Sequence, residues 1–234
     1  MISFGGGQTD YIHENLTLSN FYVYGYRTSR ITPVFIEMTV GDNALIKNFI
    51  FEDMNMNRMF FQIISGGDMI FENIEFINSE GQSQETIMAF NVNRLEIRNL
   101  TYRNYTASSN PIRPMISTSN NADVYTEISG IRIENCALLK TSLFKNLKAT
   151  DDVIIKDLSF SNVSISSGES IIVLENVKHT QFSNFTFDKV TNSDTVNDGS
   201  AIISISSFLL DSGFETEDIS VSLNFLGVLS LTSL

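Results

Sequence analysis

The stretch Leu95-Glu96-Ile97-Arg98-Asn99-Leu100-Thr101-Tyr102 carries its apolar residues on odd numbers before Asn99 and on even numbers after it. A straight strand keeps one parity, because successive side chains point to opposite faces. A one-residue slip at an Asn therefore reads as two short strands joined by a sharp corner. Asn suits such a corner, since it tolerates left-handed backbone angles and can bond its own neighbours.

The slip recurs. Aligning on an Asn or Asp corner gives eight copies, with corners at Asn15, Asn48, Asn73, Asn99, Asn135, Asp157, Asn184 and Asp218. Each corner is followed directly by an apolar residue, as in Ile46-Lys47-Asn48-Phe49 and Phe71-Glu72-Asn73-Ile74. In the first copy Tyr11 and His13 precede the corner, and in the last Phe214 and Thr216 do. The intervals run from 22 residues (Asn135 to Asp157) to 36 (Asn99 to Asn135), the range of solenoid repeats. A third short strand precedes most corners: Val34-Phe35-Ile36, Phe60 to Ile63, Ile87 to Phe90, Met115-Ile116, Leu143-Phe144, Ile171 to Leu174 and Ala201 to Ile203. Three short strands per repeat, with no helix-period segment, describe an all-β parallel β-helix of about eight coils. A leucine-rich repeat is the rival, but it calls for near-constant repeat length and one strand per unit.

Stacking assigns rows. Three residues after the corner, Leu18, Phe51, Phe76, Tyr102, Leu138, Phe160, Phe187 and Val221 form an interior column. That column accounts for much of the Phe content of 18 without a ligand. One residue before the corner, Glu14, Lys47, Glu72, Arg98, Glu134, Lys156, Ser183 and Glu217 point outward, with alternating sign through six coils. Such alternation is favoured between stacked strands. A second polar turn is expected at Asn20, Asp53, Asn78, Asn104 and Asn162. The whole chain, residues 1–234, reads as one solenoid and as a piece of a larger protein, with longer loops at 106–125 and 191–200.

The repeated units resemble the pectin-lyase-like right-handed parallel β-helix superfamily over residues 11–223. The resemblance implies a single-stranded right-handed solenoid. The superfamily includes polysaccharide lyases and hydrolases, tailspikes, adhesins and non-catalytic surface proteins, so the fold does not assign an activity. Its hydrolases carry Asn-Thr-Asp, Asp-Asp, Gly-His-Gly and Arg-Ile-Lys in that order. Here the paired acid is Asp151-Asp152, the nearest relative of the first motif, Asn192-Ser193-Asp194, follows it, and Gly-His-Gly is absent. Its lyases hold Ca²⁺ on clustered acids beside a basic residue. The corresponding outward row reads Glu37, Gln62, Ala89, Ser117, Lys145, Val173 and Ser204, with its Glu and Lys about 19 Å apart, beyond acid–base cooperation.

The remaining residues follow the structural pattern. His13 and His179 fall in the first and seventh coils, too far apart to share a metal. Cys136, the single cysteine, excludes a disulfide framework and reads as a buried, unreactive thiol. Asp194, Asp198 and Asp211 match no calcium-loop spacing. Asn15, Asn99, Asn104, Asn162 and Asn184 each start an N-x-Ser/Thr sequon. A net charge of −12 disfavours nucleic acid and anionic membranes and is compatible with a cationic partner or Ca²⁺. No apolar run reaches the length of a membrane helix, and the first residues show no signal-peptide pattern.

These observations lead us to expect no catalytic, cofactor or metal residues. The expected function is a non-catalytic structural or adhesive segment of an extracellular or cell-surface protein, with a glycan or protein partner on loops or a sheet face, and with neighbouring domains or capping elements. Alternatives are a lyase or hydrolase of an acidic polysaccharide and a glycan-binding module, for which Phe21-Tyr22-Val23-Tyr24-Gly25-Tyr26 offers aromatics. Neither end carries an amphipathic capping helix, so self-association is expected.

Overall fold

The computed structural model describes residues 2–4, 15–26, 35–39, 43–56, 60–82, 85–108, 114–119, 125–146, 150–166, 170–175, 177–192, 203–206 and 218–225. Every regular element among them is a β-strand, and every pairing is parallel. One column stacks Asn15–Tyr24, Asn43–Glu52, Phe61–Ile77, Val92–Arg103, Tyr125–Leu139, Thr150–Ser166, Val177–Asn192 and Asp218–Phe225 in chain order. A second column stacks Ile2–Phe4, Ile36–Thr39, the start of Phe61–Ile77, Ile87–Phe90, Ile116–Ser119, Phe144–Asn146, Ile172–Glu175 and Ile203–Ser206. A third side runs through Asn55–Met56, Glu80–Gln82, Thr106–Ser108 and the ends of the long strands that follow. This is the expected all-β parallel solenoid. The coils with all three sides among the described residues are slightly fewer than eight.

Corners are made by residues in the left-handed region. Asn20, Asn48, Asn73, Asn99, Gly130, Asp157 and Asn184 have φ between 55° and 68°. Their amides form a ladder. Asn48 Nδ2 donates to Asn20 Oδ1 at 2.9 Å, Asn73 to Asn48 at 3.0 Å, and Asn99 to Asn73 at 3.0 Å. Asn184 donates to Asp157 at 2.9 Å. The second corner, five residues on, holds Asp53, Asn78, Asn104, Asn135, Asn162 and Lys189, all at positive φ. There Asn104 donates to Asn78 at 2.8 Å and Asn162 to Asn135 at 2.8 Å.

Four sequon residues, Asn99, Asn104, Asn162 and Asn184, are therefore ladder donors at exposed corners. Asp157 stands directly above Gly130, which has no side chain to receive an amide. A carboxylate fits there, because it accepts from Asn184 and has no leftover hydrogen to place.

Three copies of the repeat differ from the sequence alignment. In the first, the corner is Asn20, not Asn15; Leu18 pairs with Ile46, and Val23 takes the interior place beside Phe51. In the fifth, the corner is Gly130. Asn135 sits at the second corner, Glu134 pairs with Arg103, and Leu138 pairs with Ile165. In the eighth, Asp218 pairs with His179. The strand is one residue short at the corner, with Phe182↔Val221 and Phe185↔Leu223 in register.

The interior column is thus Val23, Phe51, Phe76, Tyr102, Ile133, Phe160 and Phe187. The outward row reads Ser19, Lys47, Glu72, Arg98, Ser129, Lys156 and Ser183, so its alternation stops at Ser129. On the second column Met88, not Ala89, lies beside Gln62 and Ser117, because Ala89 is wholly buried between Ile63 and Thr118. Tyr11, His13, Phe214, Thr216, Asp194, Asp198, Asp211 and most of the two longer loops lie outside the described residues.

The core is a continuous apolar column. Phe51, Phe76 and Tyr102 stack with ring centroids 5.1 Å apart at each step, as do Phe160 and Phe187. Such offset stacks add about 0.5–1.5 kcal/mol per pair to simple burial. Tyr105 also turns inward, and its hydroxyl occupies the place a Cβ on Gly81 would need.

Gly130 is the corner where side-chain space matters most. At φ 68° a non-glycine residue is strained, and an added Cβ would lie 2.7 Å from Asn99 Oδ1. Gly130→Ala should destabilise the fold by about 1 kcal/mol or more, measured by urea unfolding. Gly130→Asn should cost less than Gly130→Ala, since an amide tolerates the left-handed angle and can donate to Asn99.

Candidate functional site

The outward face of the long-strand column, just before the first corner, carries the densest charge among the described residues. Register sets three outward rows. The first holds Asp68, Arg94, Tyr125, Asp152 and His179, and the second Ile70, Glu96, Glu127, Ile154 and Gln181. The third is the row of Lys47, Glu72, Arg98 and Lys156 described above. Period-2 geometry places these side chains on one face, with neighbouring strands about 4.8 Å apart.

Glu96 and Glu127 are direct cross-strand neighbours. This places two carboxylates on one face of adjacent coils, an arrangement that the alignment on Asn135 concealed. Once the fifth coil is set on Gly130, Glu127 lies three residues before its corner, as Glu96 lies three before Asn99.

Each carboxylate has cationic partners. Arg94 and Arg98 both bridge to Glu96, whose side chain is only 3% exposed beneath them. Lys156 Nζ lies 2.7 Å from Glu127 Oε1, and the Tyr125 hydroxyl donates to Glu127 Oε2 at 2.7 Å. The Arg94 guanidinium also covers the Tyr125 ring at 4.8 Å. Lys156 and Tyr125 hold the Glu127 carboxyl below the usual range, against a smaller opposing push from burial. Burial, then the bond to Glu127, pushes the Tyr125 phenol up to about 12. A general acid for glycoside cleavage needs the reverse, a carboxyl whose affinity for its proton is raised.

Elsewhere the chemistry is sparse. His179 Nδ1 and Asp152 Oδ1 are 2.9 Å apart on the same face. The Cys136 thiol is buried against the carbonyls of Tyr102 and Glu134, and burial raises it to about 11, so it stays protonated. It borders a shallow groove of about 430 Å³ lined by Asn135, Asn162, Ser164, Lys189 and Thr191. Among the described residues, no three His, Cys, Asp or Glu side chains are grouped to hold a metal. Also among them, no helix is long and apolar enough to cross a membrane. In the row expected for a lyase, Glu37 and Lys145 lie four strand spacings apart, with Gln62, Met88 and Ser117 between them.

On the strand Asn15–Tyr24, two aromatics point outward. Tyr22 and Tyr24 are 61% and 64% exposed, with ring centroids 6.4 Å apart and planes within 15°. The Tyr22 hydroxyl donates to Glu52 at 2.6 Å, which fixes that ring beside a carboxylate. Tyr26, beyond the second corner, is also exposed.

No protein-family model, curated protein or solved structure matches this chain.

The Glu127 bonds give the fold a pH dependence with a definite sign. A carboxyl with a depressed folded-state pKa stabilises the fold above its unfolded value of about 4.3. That contribution disappears as pH falls through the folded value. Stability measured by urea unfolding should drop between about pH 5 and pH 3, and Glu127→Gln should flatten part of that drop.

Proposed function

We propose that this chain is a non-catalytic β-helical segment of a larger surface or extracellular protein, built on a pectin-lyase-like right-handed coil. Its task is mechanical: a stiff stack that carries loops and sheet faces to a glycan or protein partner. The observation that carries this reading is the fate of the paired carboxylates. Glu96 is clamped by Arg94 and Arg98, and Glu127 is held by Lys156 and Tyr125. Both are committed to intramolecular partners, and Glu127 is shifted away from the protonated state that acid catalysis requires.

A second reading, a glycan-binding module, is favoured by Tyr22 and Tyr24. They are outward aromatics with a carboxylate alongside, suited to stacking on a sugar ring while Glu52 accepts a hydroxyl.

One assay addresses both. The protein is incubated with polyuronides and neutral polysaccharides, with and without Ca²⁺, and unsaturated and reducing-end products are measured; retention in polysaccharide gels is read in parallel. The scaffold reading expects no product with any substrate. Product formation abolished by Glu127→Gln would establish an enzyme instead. Retention lost in Tyr24→Ala would favour the binding module.

A further inference from the structure

Between its two left-handed corners each long strand turns a second face outward, and register arranges that face in two rows. One row begins Tyr22, Ile50, Glu75, and the other Tyr24, Glu52, Ile77. These six residues combine exposed aromatic and apolar surface with two carboxylates, and none of them is basic.

Other outward carboxylates of the long strands are matched by cations. Glu96 is bridged by Arg94 and Arg98, Glu127 by Lys156, and Glu134 by Arg103. Glu52 and Glu75 have no cationic partner among the described residues. Glu52 is nonetheless held in place. Its register partner is Tyr24, yet its Oε2 accepts from the Tyr22 hydroxyl at 2.6 Å. The carboxylate therefore reaches diagonally along both rings, whose centroids are 6.4 Å apart and whose planes lie within 15°. A carboxylate has about four acceptor positions, and Tyr22 fills one.

The rings and the carboxylate address different parts of one ligand. An aromatic face takes the C–H side of a pyranose ring. The open acceptor positions take a donor projecting sideways from that ring. A hydroxyl offers one hydrogen and no charge. An ammonium offers three, in charge-assisted bonds about twice as strong. A uronide would set its own carboxylate against Glu52 and Glu75, a juxtaposition that binding disfavours.

We propose that Tyr22, Tyr24 and Glu52 form a binding subsite for a chain of amino sugars whose amines are protonated. Pyranose rings lie on the tyrosines and an ammonium sits beside Glu52. Glu75, diagonal to Glu52 on the next strand, adds negative charge on the same side. The inference rests on the binding-module reading and narrows it from glycans in general to cationic ones. A lysine-rich peptide would use the charge but not the pair of rings, since an ammonium over an exposed ring gains little.

Isothermal titration at about pH 6, where amines are protonated and carboxylates are not, tests this. A soluble glucosamine oligomer is compared with its N-acetylated form, a glucose oligomer of equal length, and polylysine. The glucosamine oligomer should bind about threefold to fivefold more tightly than the neutral oligomers, the size of one or two exposed ion pairs. Added salt should shrink that margin. Glu52→Gln keeps an acceptor for Tyr22, so it should remove most of the margin and leave neutral oligomers unaffected. Tyr24→Ala, checked for folding by far-UV circular dichroism, should lose all three sugars. Asp188→Asn removes the same charge from the row of Glu52, five strands further on, and should change nothing.

Asp188→Asn acting as Glu52→Gln does would assign the margin to the net charge of −12 and overturn the proposal. Polylysine binding lost in Tyr24→Ala would assign the face to a basic peptide and overturn it too. Equal, Tyr24-dependent binding of all three sugars would sink this inference alone. No binding of any sugar would sink the binding-module reading with it.

Discussion

The fold depends on the left-handed corner and the amide that occupies it. A strand can change direction sharply only where one residue accepts positive φ, and among residues with side chains Asn does so at least cost. Once there, its side chain faces its counterparts about 4.8 Å above and below, close enough to bond. The corner thus fixes both the bend within a coil and the register between coils. Register in turn sends Phe51, Phe76 and Tyr102 into one stack and Glu96, Glu127 and Arg98 onto one outer face. Where the amide is missing, the neighbours adjust: Asn99 closes against Gly130, and Asp157 restarts the ladder as a pure acceptor.

Much of this was legible in the chain. The corners at Asn48, Asn73, Asn99, Asp157 and Asn184, and the short strands before them, appear where the parity slips place them. The fifth coil departs from the local pattern for a physical reason, whereas Asn15 in the first coil lies on the strand five residues before the corner at Asn20. Each coil has two left-handed corners five residues apart, and both present an apolar residue, a spacer, an Asn and another apolar residue. Local pattern cannot distinguish them; only the neighbouring coil can.

Spacing was the available signal. With corners at Asn20, Asn48, Asn73, Asn99, Gly130, Asp157 and Asn184, the intervals become 28, 25, 26, 31, 27 and 27 residues, in place of a spread from 22 to 36. That regularity removes uneven spacing as an argument against a leucine-rich repeat. The fold stands instead on three strand-lined sides and on the absence of helix among the described residues.

The same misreading hid the paired carboxylates. Placing the fifth corner at Asn135 sent Glu134 to the row of Arg98 and left Glu127 without a neighbour. In the correct register Glu134 bonds Arg103 at 3.1 Å, and Glu127 comes beside Glu96. The resulting network looks like a site by composition and like a scaffold by electrostatics. Arginine, lysine and tyrosine surround the two carboxylates closely enough to hold the face together, and that arrangement depresses Glu127 when acid catalysis would need it raised.

The most direct test of the stacked, in-register account is a distance between residues far apart in sequence. Lys47 and Lys156 occupy the same outward row four coils apart, through Glu72, Arg98 and Ser129. Spin labels at these two positions, with Cys136 replaced by Ser, report that distance by double electron–electron resonance. The account predicts a narrow distribution near about 19 Å, four strand spacings. A broad distribution, or one centred beyond about 30 Å, the length of six spacings or more, would contradict it.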